Sequence, residues 1–253
     1  MKKIRFVISI CLLILLTCGC GKYSEKDNAL PAFVPKMGAT QWDKIIQKNE
    51  IRIGVPTLDD TMDNRLIDAF EKESQLTVTK VVLPWDSSLQ EAVQNGSVDM
   101  LWGQLPATSD SSTMFRLSNP YFHSTMLYLS HTEELSVTQS TPVGVLKHSA
   151  GQFMAEHYFE SVTVYNSRDE LFYALSQKLV DCILYDNASF ENMQTKKDFC
   201  HIVKEAPYDL VVAFEHNNTT VASEVEKIMA KIKADGTATD ICLKWYLNDY
   251  IQK

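Results

Sequence analysis

The sequence predicts an α/β protein that folds into two lobes with a cleft between them. Strand-like and helix-like segments alternate along the chain from Trp42 onward, which is typical of parallel sheets. A similar alternation begins again near Val143, as though a second unit had started there. The length of 253 residues, with 45% hydrophobic residues, also suffices for two units of modest size that each bury a core.

The first half of the chain shows two β-α units and a third strand. The predicted elements, in order, are a strand at 51–55, a helix at 63–74, a strand at 76–83, a short helix that ends at Asn95-Gly96 and a strand at 98–102. The helix at 63–74 presents Leu66, Ile67 and Phe70, and the strand at 98–102 is mostly apolar.

The second half restarts this alternation and ends with two helices. The predicted elements are strands at 125–130 and 143–146, helices around 153–159 and 170–178, strands at 182–185 and 210–214, and two C-terminal helices. The first C-terminal helix has a clear amphipathic period in Val221, Val225, Ile228, Met229 and Ile232, and it ends at Asp235-Gly236.

The composition is that of a globular protein with an acidic charge balance. The chain carries 24 Lys and Arg residues against 32 Asp and Glu residues, so its formal net charge is −8. A nucleic-acid binder normally presents a basic patch or stripe, so we expect no nucleic-acid partner. No Cys-His spacing indicates a metal site, and we expect neither a metal nor a cofactor. The pairing of Cys182, Cys200 and Cys242 stays open, although buried thiols are expected at Cys182 and Cys242.

The N-terminus has the layout of a secretory signal peptide at 1–19. Lys2, Lys3 and Arg5 precede an apolar run that is too short to span a bilayer comfortably. The following segment, which ends at Cys20, resembles the lipobox of bacterial lipoproteins, and we expect this cysteine to be acylated, for example with palmitate. Residues 20–40 are polar and proline-punctuated, so they are predicted to form a flexible tether.

Five segments in register along the chain resemble those of family-3 extracellular solute-binding proteins. They are Trp85-Asp86 with 92–99, Thr108 with 117–121, 143–149, 175–186, and 233–236 with 241–246. These proteins are the polar amino-acid receptors of ATP-driven importers and have the type II periplasmic-binding fold. The resemblance therefore implies a first lobe at 41–129 and 212–253 and a second lobe at 130–211. Two crossing strands near 127–131 and 208–212 would join the lobes, which would close on the ligand about a hinge.

The resemblance also implies the residues of the ligand site. The candidates are Trp102, Gln104, Leu105, Thr108, Ser111, Ser149 and Asp186. Asp186 matches the aspartate that takes the ligand's amino group, and Ser149 matches a hydroxyl residue at the start of a helix. For Asp186 an ordinary helix cap is the alternative, for Trp102 a core position, and for Gln104 and Leu105 plain loop geometry.

One departure from the family pattern concerns the ligand's carboxylate. The family has an arginine three residues after the motif threonine, and its guanidinium forks onto the α-carboxylate. Ser111 stands at that place here, and the first loop of the family is shorter in this chain. A serine hydroxyl cannot replace the charge, so a solute without an α-carboxylate stays open as the ligand.

Together these features predict a lipid-anchored solute receptor of an ABC importer. We expect a monomer on the extracytoplasmic face of the cell membrane that captures a small polar solute and delivers it to a membrane permease. No nucleophile, base and orienting group form a legible set, so we expect no enzyme. Two alternatives stay open: a binding or sensor lipoprotein without an amino-acid ligand or a transport role, and a dehydratase-like enzyme on the same scaffold.

Overall fold

A computed structural model describes residues 38–86, 88–193 and 200–251. The signal peptide at 1–19, the lipidated Cys20 and most of the tether at 20–40 lie outside these ranges and stay predictions. The described residues from Ala39 onward form one compact unit. Among the described residues, no helix combines the length and the apolar character that crossing a membrane requires.

The described helices and strands alternate for most of the chain. The first half contains α1 (Gln41–Lys48), β1 (Glu50–Val55), α2 (Met62–Ser74), β2 (Thr77–Val82), α3 (Leu89–Gln94), β3 (Met100–Leu101), α4 (Ser109–Met114), β4 (Arg116–Leu117) and β5 (Phe122–Ser130). The second half contains β6 (Val143–Leu146), α5 (Ala150–Tyr158), β7 (Val162–Tyr165), α6 (Arg168–Ser176), β8 (Cys182–Asp186), α7 (Asn187–Glu191), β9 (His201–Leu210), β10 (Ala213–Phe214), α8 (Thr219–Ala234) and α9 (Thr237–Trp245).

The strands form two five-stranded sheets. The first has the order β2-β1-β3-β10-β4 and the second has the order β7-β6-β8-β5-β9. In each sheet the β-α units supply parallel pairs, β1 with β2 and β3 in one sheet and β6 with β7 and β8 in the other. We call the first sheet with α1–α4, α8 and α9 the first lobe, and the second sheet with α5–α7 the second lobe. This arrangement confirms the predicted two-lobed α/β architecture.

The predicted helical faces are also confirmed. In α2, Leu66, Ile67 and Phe70 are fully buried. In α8, Val221 and Val225 are buried together with Met229 and Ile232. Cys182 and Cys242 are buried thiols, and burial raises the pKa of Cys182 to about 12.

The first passage of the chain between the lobes lies earlier than the sequence predicted. The predicted first lobe at 41–129 includes most of β5, whereas β5 pairs with β8 and β9 of the second sheet along its length. The Tyr121 N–H donates to the Leu210 carbonyl at 3.0 Å, and the Ser118 N–H donates to the Val212 carbonyl at 2.9 Å, so the two passages run side by side there. Strand pairing decides this boundary, and an apolar pattern within one strand does not reveal its partners.

Phe153 is one of the aromatic side chains that join the lobes, together with Phe122, whose ring contacts Tyr246 and Tyr250. Phe153 of α5, in the second lobe, is 1% exposed and belongs to a buried cluster whose other members come from the first lobe. Those members are Trp85, Leu89, Ala92, Val93, Val98, Leu101, Leu105, Phe115 and Ala213. The core therefore continues across the boundary between the lobes at this point.

The turn after β3 depends on a glycine. Gly103 has a φ of +130°, and a Cβ built there would lie 2.9 Å from Cδ of Pro56. We expect Gly103→Ala to lower the free energy of unfolding by about 1–3 kcal/mol, measured by urea denaturation. Gly96→Ala is the matched control, because Gly96 has a φ of +73° but no atom within 4 Å of its Cβ position. Equal losses in the two variants would show that the contact with Pro56 has no energetic effect.

Candidate ligand-binding site

A cleft of about 550 Å³ opens between the two lobes. The first lobe contributes the segment 55–64, Trp102 and Gln104, and α9 and the residue after it contribute Trp245 and Tyr246. The second lobe contributes the segments 146–151 and 184–186 with side chains from β5, α7 and β9. This volume lies within the range of small-molecule sites.

Asp186 lies in the cleft wall at the end of β8, where it also caps α7. Its Oδ1 accepts hydrogen bonds from the Ser124 hydroxyl at 2.5 Å and from the Tyr208 hydroxyl at 2.8 Å. Its Oδ2 accepts from the Ser189 N–H at 2.9 Å. Ser124 and Tyr208 are directly opposite each other in the β5–β9 pair. Burial, followed by the Asp186 charge, raises the pKa of Tyr208, so both hydroxyl groups are neutral donors that hold the carboxylate in place.

Ser149 lies across from the first lobe at the start of α5. Its Oγ accepts from the Gln152 N–H at 3.1 Å and donates to the Leu146 carbonyl at 2.6 Å. The preceding His148 has a φ of 62°, and burial, followed by the Lys147 charge, lowers its pKa. The N-terminus of this nine-residue helix favours a negative group.

A second carboxylate, which sequence reasoning did not single out, lies at the first-lobe end of the cleft. Asp63 lies in the first turn of α2 and is 5% exposed. It accepts from the Tyr121 hydroxyl at 2.6 Å and from the Gln104 side-chain amide at 2.8 Å. Burial raises its pKa, and hydrogen bonds from Tyr121 and from the side chain and backbone of Gln104 oppose that shift only in part. An acidic residue in the first turn of a helix is so common that the sequence alone carried no signal of a site.

Asn64, next to Asp63, has an oxygen without a partner. Its side-chain Nδ2 donates to the Thr57 carbonyl at 2.9 Å and to the Asp59 carbonyl at 2.8 Å, which fixes the orientation of the amide. Its Oδ1 is buried and has no hydrogen-bond partner among the described residues. This oxygen has almost no accessible surface, so it is a buried acceptor without a partner and is not open to the cleft.

The charge balance of the cleft is negative. Asp59, Asp60, Asp63 and Asp186 line it, while Lys147 is its one permanently charged cation among the described residues. The Asp60 carboxylate is paired with Arg65 at 2.6 Å, but within the described chain neither Asp63 nor Asp186 has a Lys or Arg partner. Burial and the charges of Asp186 and Asp63 raise the pKa of Tyr246, whose ring lies in the same cleft.

The structure brings together four of the seven residues that the sequence proposed. Trp102, Gln104, Ser149 and Asp186 all line the cleft. Asp186 is also the helix cap that was the alternative reading, and Trp102 is fully buried against Phe70 and Tyr121.

The other three residues lie outside the cleft wall. Leu105 is buried in the core, and Thr108 and Ser111 form the capping box of α4. The Ser111 hydroxyl is fully buried and donates to the Pro106 carbonyl at 2.8 Å. At the place where the family pattern has an arginine that binds the ligand carboxylate, this chain therefore has a hydroxyl group that is bonded to its own backbone. A ligand-binding role for these three residues stays a prediction.

Asp63 is expected to make stability depend on pH. Its raised pKa means that the folded state holds this proton more tightly than the unfolded state, so stability falls as pH rises through the window between the ordinary and the raised pKa. We expect Asp63→Asn to increase the free energy of unfolding at neutral pH and to show little difference from the parent near about pH 4. Urea denaturation at both pH values measures this. An equal effect at both would contradict it.

Solved structures share the fold. A histidine-bound substrate-binding protein of an ABC uptake transporter from Streptococcus pneumoniae matches with a TM-score of 0.66 at 19% identity, over 86% of this chain and 100% of that chain. ArtJ, the arginine-, lysine-, histidine-binding protein of Geobacillus stearothermophilus, matches with a TM-score of 0.60 at 20% identity, over 79% and 96%. The ancestral amino acid-binding protein AncCDT-1, a precursor of cyclohexadienyl dehydratase, matches with a TM-score of 0.62 at 18% identity, over 81% and 98%.

The family assignment comes from the sequence profile. A search of curated proteins gave no match. The profile of the bacterial extracellular solute-binding proteins, family 3, matches residues 61–248, which is about three quarters of the chain. This match confirms the resemblance inferred from the five segments, and the solved structures agree with it in fold. The chain therefore belongs to the family 3 bacterial extracellular solute-binding proteins, a class that works outside the cytoplasm.

Proposed function

We propose that the chain is a lipid-anchored receptor that captures a small solute with an amino group and delivers it to an ABC permease. The observation that carries this proposal is the Asp186 carboxylate, which lies in the cleft between the lobes without a cationic partner among the described residues. An ammonium group would supply that partner. Family membership supports the transport role.

The Asp186 carboxylate can accept one further hydrogen bond. An ionised carboxylate has about four lone-pair sites, and three of them already accept the Ser124, Tyr208 and Ser189 donors. These bonds fix the carboxylate without neutralising it. A ligand ammonium therefore meets an oriented charge, and orientation before binding reduces the entropic cost of capture.

Groups that favour an anion lie on the same lobe as Asp186, although they are weak. Lys147 and the N-terminus of α5 at Ser149 are the groups that favour an anion. No arginine lines the cleft among the described residues. A ligand α-carboxylate would therefore be bound less firmly here than by the guanidinium of an arginine. This supports amines as ligands at least as well as amino acids.

A thermal-shift screen of the full chain in mild detergent tests the ligand class. Amines, amino acids, peptides and organic acids are compared at equal concentration. A ligand at 100 times its dissociation constant stabilises the protein by about 2.7 kcal/mol, which is readily visible. We expect stabilisation by solutes that carry an ammonium group. Stabilisation by organic acids alone would overturn the proposal.

The anchor is tested separately because it depends on the sequence alone. We expect a labelled fatty acid to be incorporated into the chain in bacterial cells and the label to be lost in Cys20→Ala. Cys18→Ala is the matched control and should keep the label. Loss of the label in Cys18→Ala but not in Cys20→Ala would show that Cys18, and not Cys20, carries the lipid.

A second candidate function is a dehydratase on the same scaffold. The observation that favours it is Asp63, a buried carboxyl group whose raised pKa makes it a possible proton donor in the cleft. Turnover of prephenate and arogenate by the purified chain tests this candidate directly. We expect none, because the side-chain partners of Asp63 are poor proton-transfer groups: burial raises the pKa of Tyr121 well above its ordinary value, and the Gln104 amide does not titrate.

A further inference from the structure

The residues that follow α9, 246–251, are fixed to the first lobe, and we call them the C-terminal strap. The Thr239 hydroxyl of α9 donates to the Asp249 carboxylate at 2.9 Å. Cys242 of the same helix lies beside the strap, and its Sγ accepts from the Tyr250 N–H at 3.4 Å. The strap is therefore held against α9, which belongs to the first lobe.

The same strap is also bonded to the second lobe through β5. The His123 N–H donates to the Tyr250 carbonyl at 2.8 Å, and Ile251 forms an antiparallel bridge with Phe122. The rings of Phe122 and Tyr250 contact each other, with 5.5 Å between their centroids. Because β5 is a strand of the second sheet, the strap connects the lobes in addition to the two passages of the chain.

Glu191, the last residue of α7, fastens the strap. Its Oε2 accepts from the Tyr250 hydroxyl at 2.5 Å and from the Asn248 side-chain amide at 3.0 Å. Its Oε1 accepts from the Asn187 side-chain amide at 2.9 Å. The bond from Tyr250, followed by that from Asn187, lowers the pKa of Glu191, so the acceptor is a charged carboxylate at neutral pH. This carboxylate therefore links the strap to both ends of the five-residue helix that Asp186 caps.

A further bond between α7 and the end of α9 lies beside the cleft. The Asn192 side-chain amide donates to the Trp245 carbonyl at 2.8 Å, and Trp245 lines the cleft. Packing of a chain end against its own helix accounts for the bonds of the strap to α9. It does not account for the side-chain bonds that reach Glu191 and Asn192 in the other lobe.

We propose that the C-terminal strap is a non-covalent connection that holds α7 against the first lobe, and that Glu191 is a positioning residue for ligand binding. Glu191 lies outside the cleft wall, so it acts through α7 and not by contact with the solute. The effect on a ligand rests on the proposed function. A solute held between the lobes leaves when they separate, and separation of α7 from the first lobe breaks the bonds of the strap. The strap therefore slows release.

Hydrogen exchange of the ligand-free full chain in detergent tests the connection itself. We expect the backbone amides of 187–192 to exchange about two- to tenfold faster in Tyr250→Phe than in the parent, because this variant loses the hydroxyl bond to Glu191 and keeps the ring. Tyr173→Phe is the matched control, an exposed tyrosine of α6 outside the cleft wall, and it should exchange like the parent. Unchanged exchange in Tyr250→Phe would overturn the inference, whichever ligand binds.

A double-mutant cycle assigns the effect to Glu191. Adding Tyr250→Phe to Glu191→Ala should not speed exchange further, because the acceptor of the hydroxyl is already gone. Glu191→Gln keeps an acceptor oxygen and should recover part of the protection that Glu191→Ala loses. Additive effects of Tyr250→Phe and Glu191→Ala would show that the hydroxyl acts elsewhere, and the role of Glu191 would be wrong.

Ligand release tests the consequence for binding. Stopped-flow tryptophan fluorescence of the full chain follows the dissociation of two probes, L-lysine and pentylamine, since Trp245 lines the cleft. We expect the dissociation rate constant to rise about two- to tenfold in Tyr250→Phe and to stay unchanged in Tyr173→Phe. Equal or slower release in Tyr250→Phe would overturn the inference. Binding of neither probe by the parent would contradict the proposed function, and the exchange experiment would then decide the inference alone.

Discussion

Asp186→Asn is expected to weaken binding of an ammonium ligand by roughly 10- to 100-fold while the protein stays folded. The loss corresponds to about 1.5–3 kcal/mol for a hydrogen bond to a charged group. Asparagine keeps one oxygen for the Ser124 and Tyr208 hydroxyl groups. The bond from the Ser189 N–H to Oδ2, which caps the five-residue helix α7, is lost. Calorimetric titration with the best ligand of the screen gives the affinity, and circular dichroism confirms the fold.

Asp43→Asn is the matched control for this prediction. Asp43 belongs to the capping box of α1, accepts from the backbone and side chain of Thr40, and lies outside the cleft wall. The same chemical change there should leave ligand affinity unaltered. If Asp186→Asn binds the ligand as tightly as this control does, the ammonium is held elsewhere and the proposed role of Asp186 is wrong.

Phe153→Ala is expected to affect stability and ligand binding together. Removing a fully buried phenylalanine side chain costs about 3–5 kcal/mol. Because Phe153 packs into a cluster of first-lobe residues, much of this loss falls on the contact between the lobes and not on the second lobe itself. Each 1.4 kcal/mol by which the variant destabilises the closed arrangement of the lobes weakens the ligand affinity about tenfold. Urea denaturation and titration on the same sample separate the two effects.

Phe172→Ala distinguishes a contact between the lobes from general loss of packing. Phe172 is also 1% exposed and lies on a helix, but its cluster is built from second-lobe residues. We expect a similar fall in the free energy of unfolding and little change in affinity. Small-angle X-ray scattering should show a larger radius of gyration for ligand-free Phe153→Ala than for Phe172→Ala. Identical scattering and identical affinities would mean that Phe153 does not hold the lobes together.

The sequence predicted those features that local pattern determines. The apolar period of α8 identified its buried face, and the alternation of elements identified two β-α repeats. Asp186 was found because it ends a strand within a segment that resembles the family. The passage at 118–122 was misplaced, because strand pairing between distant segments fixes it and a single strand carries no record of its partners.

The surroundings of Asp63 could not be predicted, for a related reason. Asp63 gains its environment from Gln104 and Tyr121, which are far from it in sequence, and Gln104 itself has a φ of 53° after the turn at Gly103. In the sequence, Asn64 is an ordinary residue of the first turn of a predicted helix. Only folding shows that its oxygen is buried without a partner. The displacement of Thr108 and Ser111 from the cleft wall likewise depends on the short helix that they cap.

The opposition of Ser124 and Tyr208 across β5 and β9 limits how this cleft can acquire a new specificity. Both hydroxyl groups are buried and both donate to the same oxygen of Asp186. An apolar residue in place of Asp186 would leave the Ser124 and Tyr208 hydroxyl groups buried without an acceptor. Each unsatisfied donor lowers stability. Adaptation of the cleft to an uncharged ligand therefore requires all three positions to change as a set, and redesign of its chemistry has to begin with these three residues.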